Sequence, residues 1–354
     1  MLGQRLNRAR KAAGLSLRDL AAKVNLSHAA IKKYEDGGTI PSSDILIEFS
    51  KALKVRTEYF FRPMTLSLAK LNYRKKSTLP VKQLDAITHE VIDRAERRME
   101  LESLFPQPIS KPFKIDKSSM AAINSLDDIE LSAEALRHAW NLGEEPIPDL
   151  VDVLENNGIR VFMVEHLTSQ QFDGLAAMIE EQPIVVIGSN WPGDRQRFTL
   201  AHELGHLILE GRLGSNMDEE KACDRFAGAF LFPARTVRQE LGSHRTSIEV
   251  KELSILKEEF GMSMMSILYR ARDGKIITPS YHQQMSGLFK KKGWCAKEPG
   301  QSHPPEKAHL FDQLVFHALA EAYIGESKAA ELLSLPLTEF RTIRAMGSHD
   351  AFVN

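Results

Sequence analysis

Residues 197–211 read RFTLAHELGHLILEG, and this stretch constrains the chain more than any other. Positions four apart on an α-helix differ by about 40° in azimuth, so His202 and His206 project from one face, one turn apart. Both imidazoles can then reach a single cation at about 2.0–2.1 Å. Glu203, next to the first histidine, is placed to hydrogen-bond a water on that cation without binding it. Leu200, Leu204, Leu207 and Ile208 fill the remaining faces. The segment must therefore be a mostly buried helix with one polar side facing a site. Two partly buried imidazoles that face one another require a shared cation or strong hydrogen-bond partners.

Two protein ligands do not complete such a site. Downstream, DEEKACDRFAGAFLFP (218–233) reads as a second apolar helix led by acids. Glu220 and Asp224 are four apart and share a face. In zinc peptidases with a glutamate third ligand, such a pair divides the work. The Glu binds metal, and the Asp accepts the N–H of the first histidine, fixing its tautomer. Asp218 and Glu219 are alternatives for the third ligand, and a solvated acidic helix start is the competing reading of all four. A His-His-Glu set suits Zn²⁺. Glu203 would then act as catalytic base, taking a proton from water and returning it to the leaving amine. Upstream, IRVFMVE (159–165), GLAAMIE (174–180) and PIVVIGS (183–189) predict a small three-stranded sheet. A sheet edge there could receive an extended peptide as an added strand.

The first 61 residues have a different character. They hold eleven Lys/Arg and six Asp/Glu, whereas the whole chain of 354 has a formal charge of −1. A basic module on a mildly acidic body is what binding to a phosphate backbone requires of one end only. The spacing predicts helices over Leu2–Ala13, Leu17–Val24 and His28–Glu35, with Ser16 and Ser27 as caps and Gly14 and Gly37–Gly38 as stops. SSDILIEFSKALKV after Pro41 adds another. Two short helices joined by a tight turn, within a bundle of about five, form a helix-turn-helix. Ser27, His28 and Ala29 would open the reading helix. Ser27 suits a phosphate, His28 a purine edge and Ala29 a thymine methyl, while Lys32 and Lys33 would meet backbone.

The fold class expected is mainly α with a small β-sheet. The divisions read from sequence are a helix-turn-helix domain (1–63), a helical linker region (64–130), a metallopeptidase domain (131–275) and a helical C-terminal region (276–354). The linker includes a basic turn before Pro80, a long amphipathic helix through Leu84, Ile87, Val91 and Ala95, and a Pro- and Lys-rich stretch at 105–119. Two cysteines, Cys223 and Cys295, offer no disulfide framework. No secretory leader or membrane span is legible, so a cytoplasmic location is expected.

RQRFTLAHELGHLIL followed by ACDRFAGAFLFP resembles the ImmA/IrrE family of metallopeptidases, and the likeness extends over about 130–300 through AEALRHAWNLG, VLENNGIRV, FDGLAAMI and KKGWCAKEPG. Residues 1–61 separately resemble the lambda-repressor/Cro (Xre-type) helix-turn-helix. The resemblance implies a zincin-like domain with Glu220 as third ligand, and a repressor or related regulator as substrate. Asp224 stands where many members have Asn, and Phe232 where many have Met; neither removes a ligand. Leu17 stands where a glutamine commonly contacts the DNA backbone, so Arg18 is the substitute phosphate contact. Double-stranded DNA, with a palindromic operator if the chain forms a homodimer, is the expected nucleic-acid partner. The alternative reading is a repressor or antitoxin whose metal domain binds a partner such as a toxin without cutting it. Tyr281, His282, His244 and Tyr269 are available as oxyanion stabilisers.

Overall fold

The computed structural model describes residues 1–66, 71–73, 80–109, 111–113, 121–165 and 172–346, of which 71–73 by backbone only. Most of the basic turn before Pro80, and residues 114–119 of the Pro- and Lys-rich stretch, lie outside them. In chain order the elements are α1 (Leu2–Ala12), α2 (Leu17–Lys23), α3 (His28–Glu35), α4 (Ser43–Leu53), a 3₁₀ turn (Thr57–Phe61), β1 (Leu71–Tyr73) and α5 (Val81–Glu102). There follow α6 (Leu126–Ala139), α7 (Leu150–Asn156), β2 (Arg160–Val164), β3 (Gly174–Ile179) and β4 (Gln182–Gly188). The helices α8 (Gly193–Leu209), α9 (Glu219–Leu231), α10 (Ala234–Leu241), α11 (Val250–Phe260), α12 (Met264–Asp273) and α13 (Pro279–Lys292) come next. Last are α14 (Leu310–Ala320), α15 (Glu326–Leu332) and α16 (Leu337–Arg344). The fold is mainly α with a small β-sheet.

Contacts group the chain into two compact units: Met1–Asn72, Ser77–Lys111 and His309–Asn354 in one, Tyr73–Lys76 and Pro112–Ala308 in the other. The region 276–354 is thereby divided. α13 belongs to the second unit, whereas α14 to α16 belong to the first.

In the first unit, the caps form as the sequence requires. Ser16 Oγ accepts from Asp19 N at 3.1 Å while Ser16 N donates to Asp19 Oδ2 at 2.8 Å, a reciprocal capping box. Ser27 Oγ accepts from Ala30 N at 3.1 Å and starts α3. Leu6, Leu20, Ile31, Phe49 and Phe60 close the core of the bundle, whose fifth element is the 3₁₀ turn and not an α-helix. A second core joins Leu101 of α5 to Val315, Ala318, Ala329, Leu332 and Phe340 of the C-terminal helices. Arg97 donates to Leu332 O at 2.6 Å and Ser334 Oγ at 2.7 Å, holding the turn between α15 and α16.

Three arginines counted in the basic N-terminal segment turn inward. Arg5 and Arg8 each place NH1 2.8 Å from Glu96 Oε2 of α5, and both side chains are buried. The other oxygen, Glu96 Oε1, accepts from Thr65 N at 3.1 Å and Leu66 N at 2.9 Å. Arg10 forms a two-pronged pair with buried Glu35. The bundle thus meets α5 through ion pairs centred on Glu96, with Asp93 3.6 Å from Arg5 and 3.3 Å from Arg62.

The strand order of the sheet is β1-β3-β4-β2, with β2 parallel and β3 antiparallel to β4, and the short β1 falls at the boundary in sequence between the two units. β1 and β2 are the edges and β3 is an inner strand. The three strands read from sequence match β2, β3 and β4 to within two residues. All but one side chain of β4 is buried, which its position between two strands and beneath α8 requires. Two buried ion pairs fix the start of α8. Arg197 NH1 meets Glu306 Oε1 at 2.5 Å, and Glu306 also accepts from Leu150 N and Val151 N at the start of α7. Lys257 Nζ lies 2.8 Å from Asp194 Oδ2 and 2.9 Å from Glu298 Oε2.

Removing one partner of a buried ion pair strands the other charge, at a cost of about 3–5 kcal/mol. Glu96→Ala should therefore lower the stability of the first unit by roughly that amount in denaturant unfolding. A loss below about 1 kcal/mol would show that water or Asp93 replaces the missing carboxylate.

Candidate metal centre and DNA-reading helix

Helix α8 follows Pro192 and carries Asp194 in its first turn, where a negative charge favours the helix dipole. Leu200, Leu204, Leu207 and Ile208 are buried along one stripe of about 100°, so that face of the helix is core. Helix α9 packs across it, and Gly205, between the two histidines, allows the close approach. A Cβ added there would lie 3.2 Å from Cys223 Cα and 3.3 Å from Phe226 Cδ1. A glycine is similarly required at the start of β3. A Cβ on Gly174 would fall 2.6 Å from Thr199 Cγ2 and 3.3 Å from Glu203 Cγ. Both small positions were legible as glycines, but their role needed the partner strand and helix to be in place.

These packings bring His202, His206 and Glu220 together, with one ligand atom of each within 4.8 Å of the others. His202 Nε2 lies 3.6 Å from Glu220 Oε2, and His206 Nε2 lies 3.6 Å from Glu220 Oε1. Those distances are long for hydrogen bonds. They fit donors sharing one ion, because two ligands at about 2.0–2.1 Å in tetrahedral geometry sit roughly 3.3–3.4 Å apart. His206 Nε2 is moreover buried with no hydrogen-bond partner, a position that a neutral imidazole in a closed core would not keep. The residues fit a metal ion with two nitrogen donors and one oxygen donor.

The outer nitrogens have carboxylates of their own. His202 Nδ1 is 2.8 Å from Asp224 Oδ1, the partner expected from the four-residue spacing. His206 Nδ1 is 2.9 Å from Glu219 Oε1. Asp218, the other alternative third ligand, instead caps α9 by accepting from Lys221 N at 3.2 Å. Burial pushes the His202 imidazole down, but its hydrogen bond to Asp224 and the charges of Glu203, Asp224 and Glu220 outweigh it, so its pKa is raised. For His206 burial prevails over the Glu219 bond, and its pKa is lowered. Glu203 is buried beside β3. Cys223, inside α9, is a packed thiol whose pKa burial and the surrounding carboxylates push up.

Among the proposed oxyanion groups, the Tyr281 hydroxyl is already committed. It accepts from Ile248 N at 2.9 Å and donates to Ile248 O at 3.1 Å. His282 is buried with its ring 4.4 Å from that of Tyr269, and Arg272 lies over the Tyr269 ring. His244 is exposed. The inner place of β3 also moves the open edge for an added peptide to β1 or β2.

On the N-terminal bundle, Arg18, Ser27, His28, Ala29, Lys32 and Lys33 are all exposed, while Leu17 is half-buried against the bundle core. Ser27 gives its oxygen to the α3 cap, and Lys32 Nζ holds Asp36 Oδ1 at 2.7 Å. The Ser27 cap is the one the sequence predicts, whereas the Lys32–Asp36 pair was not read from it.

Comparison with known families agrees with this division. Residues 6–60 match a helix-turn-helix family model, and residues 154–272 match the IrrE N-terminal-like domain of the M78 peptidases. No curated protein matches the chain. The chain thus joins a helix-turn-helix DNA-binding domain to an IrrE-like peptidase-family domain that contains His202, Glu203, His206 and Glu220.

Proposed function

We propose that this protein is a DNA-binding transcriptional regulator fused to a zinc-dependent endopeptidase that cleaves a regulatory protein. The observation that carries the reading is the convergence of His202 Nε2, His206 Nε2 and the Glu220 carboxylate with Glu203 alongside. Two imidazoles and a carboxylate are a donor set that zinc accepts, and three protein ligands leave room for a reactant. Zinc held there supplies a Lewis acid that polarises a peptide carbonyl and acidifies water. Glu203 does the proton work. It accepts the proton as the water oxygen bonds to the carbonyl carbon, then delivers it to the amine nitrogen as the C–N bond breaks. Asp224 holds the His202 tautomer that leaves Nε2 as donor.

In the DNA-binding unit, α3 enters the major groove, with His28 and Ala29 at base edges and Lys33 on the phosphates. Arg18 at the start of α2 adds a backbone contact, and a homodimer would read a palindromic operator. The fused DNA-binding domain also favours a second reading, in which the metal domain senses a repressor or toxin by binding alone.

Metal analysis of the purified protein should find about one zinc per chain, lost in His202→Ala, His206→Ala and Glu220→Ala. Zinc retained in full by Glu220→Ala would place the third ligand elsewhere.

Glu203→Gln separates the two readings. Glutamine keeps the shape and is not asked to bind metal, so zinc content and DNA binding should persist. Cleavage of the partner protein, followed by mass spectrometry, should fall by about 10²-fold or more. A variant that retains zinc and regulates as the parent does would leave binding, not proteolysis, as the function.

For the DNA unit, Lys33→Ala should weaken binding to every sequence and lower the slope of log affinity against log salt by about 1. His28→Ala should instead change the ranking among operators. Equal loss on all sequences for His28→Ala would remove it from the base-reading set.

A further inference from the structure

The sequence left Glu219 as an alternative ligand; its place in the fold gives it another role. Successive residues on a helix differ by about 100°, so Glu219 and Glu220 at the start of α9 cannot present their carboxylates to the same point. The two instead straddle one ring. Glu220 Oε1 stands 3.6 Å from His206 Nε2, and Glu219 Oε1 stands 2.9 Å from His206 Nδ1. The His206 side chain is almost wholly buried. Its Nε2 has no hydrogen-bond partner of its own, so what orients the ring must act at Nδ1.

We infer that Glu219 is a positioning residue for the metal centre, accepting the Nδ1–H of His206 and so holding its Nε2 lone pair toward Glu220. The inference rests on the metal-centre reading given above. Each imidazole then has its own carboxylate, Asp224 for His202 and Glu219 for His206. A carboxylate on the outer nitrogen selects the tautomer whose inner nitrogen is bare, and it makes that nitrogen a stronger donor. Neither acid can be exchanged for the other. Asp224 is a full turn further along α9, reaching the histidine nearer the N-terminus of α8, while Glu219 reaches the one nearer its C-terminus. The two helices thus run so that first acid meets second histidine. Such outer partners are worth roughly 10–100-fold in metal affinity. Half-exposure of the Glu219 carboxylate, whose place water can take, puts the expected loss toward the lower end.

The test uses the full chain and zinc itself, in competition with a chromophoric chelator, on the parent, Glu219→Ala, Glu219→Gln and Glu220→Ala. Glu219→Ala should bind zinc about 10-fold more weakly while its circular dichroism is unchanged. Glu219→Gln should fall between the two, because its amide oxygen still accepts from Nδ1–H without the charge. A second readout needs no metal. Long-range ¹H–¹⁵N spectra of the metal-free protein should show His206 as the Nδ1–H tautomer in the parent and a shift toward Nε2–H in Glu219→Ala. Parental affinity and tautomer in Glu219→Ala would overturn the inference while leaving the metal centre standing. Loss as complete as in Glu220→Ala would make Glu219 a ligand and overturn it equally. Failure of the parent to bind zinc would instead bring down the metal-centre reading on which it rests.

Discussion

The close crossing of α8 and α9 at Gly205 is the contact from which the site follows. The histidines alone are two groups on one helix face; they become a set able to hold a metal ion only when a carboxylate from another element arrives within reach. That arrival depends on backbone-to-backbone proximity, since a Cβ at 205 would come within 3.2 Å of Cys223 Cα, closer than most such contacts. The apolar stripe of α8 and the Phe226–Phe230 face of α9 hold the crossing by burial, and the stacked rings of those two phenylalanines, 5.8 Å apart, fill the space beneath it. The polar chemistry therefore sits on top of a hydrophobic joint. Anchors at the far end of α8, Arg197 with Glu306 and Lys257 with Asp194 and Glu298, keep that helix from rotating about its own axis.

Much of this was legible because the residues that make chemistry and those that make structure obey the same periods. The i, i+4 rule placed His202 with His206 and Glu220 with Asp224, and the period-two runs marked β2 to β4. Caps at Ser16 and Ser27 were equally plain, since a short side-chain oxygen before an apolar helix has one efficient use. The hidden part lies in long-range pairing. Nothing near Arg5 or Arg8 in sequence signals that Glu96 waits for them on α5, so their charge read as surface. Glu219 read as an alternative third ligand, because which nitrogen of a ring a carboxylate meets depends on the angle at which two helices cross. The Tyr281 hydroxyl read as available until Ile248 was found against it.

The course of the chain adds a constraint of its own. The unit that holds the helix-turn-helix is completed by α5 and by helices from the other end of the sequence, so the peptidase-family unit is an insertion within it. The core formed by Leu101 with Val315, Ala318, Leu332 and Phe340 is separate from the one formed within residues 1–63. A reading of the first 63 residues as a self-sufficient bundle thus omits the partner of two fully buried guanidinium groups. Inside the protein an unpaired charge is far more costly than an unpaired apolar side chain. Glu96, with Asp93 beside it, accordingly ties α5 to the bundle.

The same electrostatic reasoning explains why the metal centre tolerates so many acids. Glu203, Glu219, Glu220 and Asp224 all act on or beside two imidazoles, and in an apolar joint four carboxylates would repel one another strongly. Three of them are half-exposed or more toward solvent at the α9 start, with the positive end of that helix beneath two of them. Only Glu203 is buried. An acid confined there, next to the two histidines but turned toward β3, is set apart by depth from the three that meet solvent.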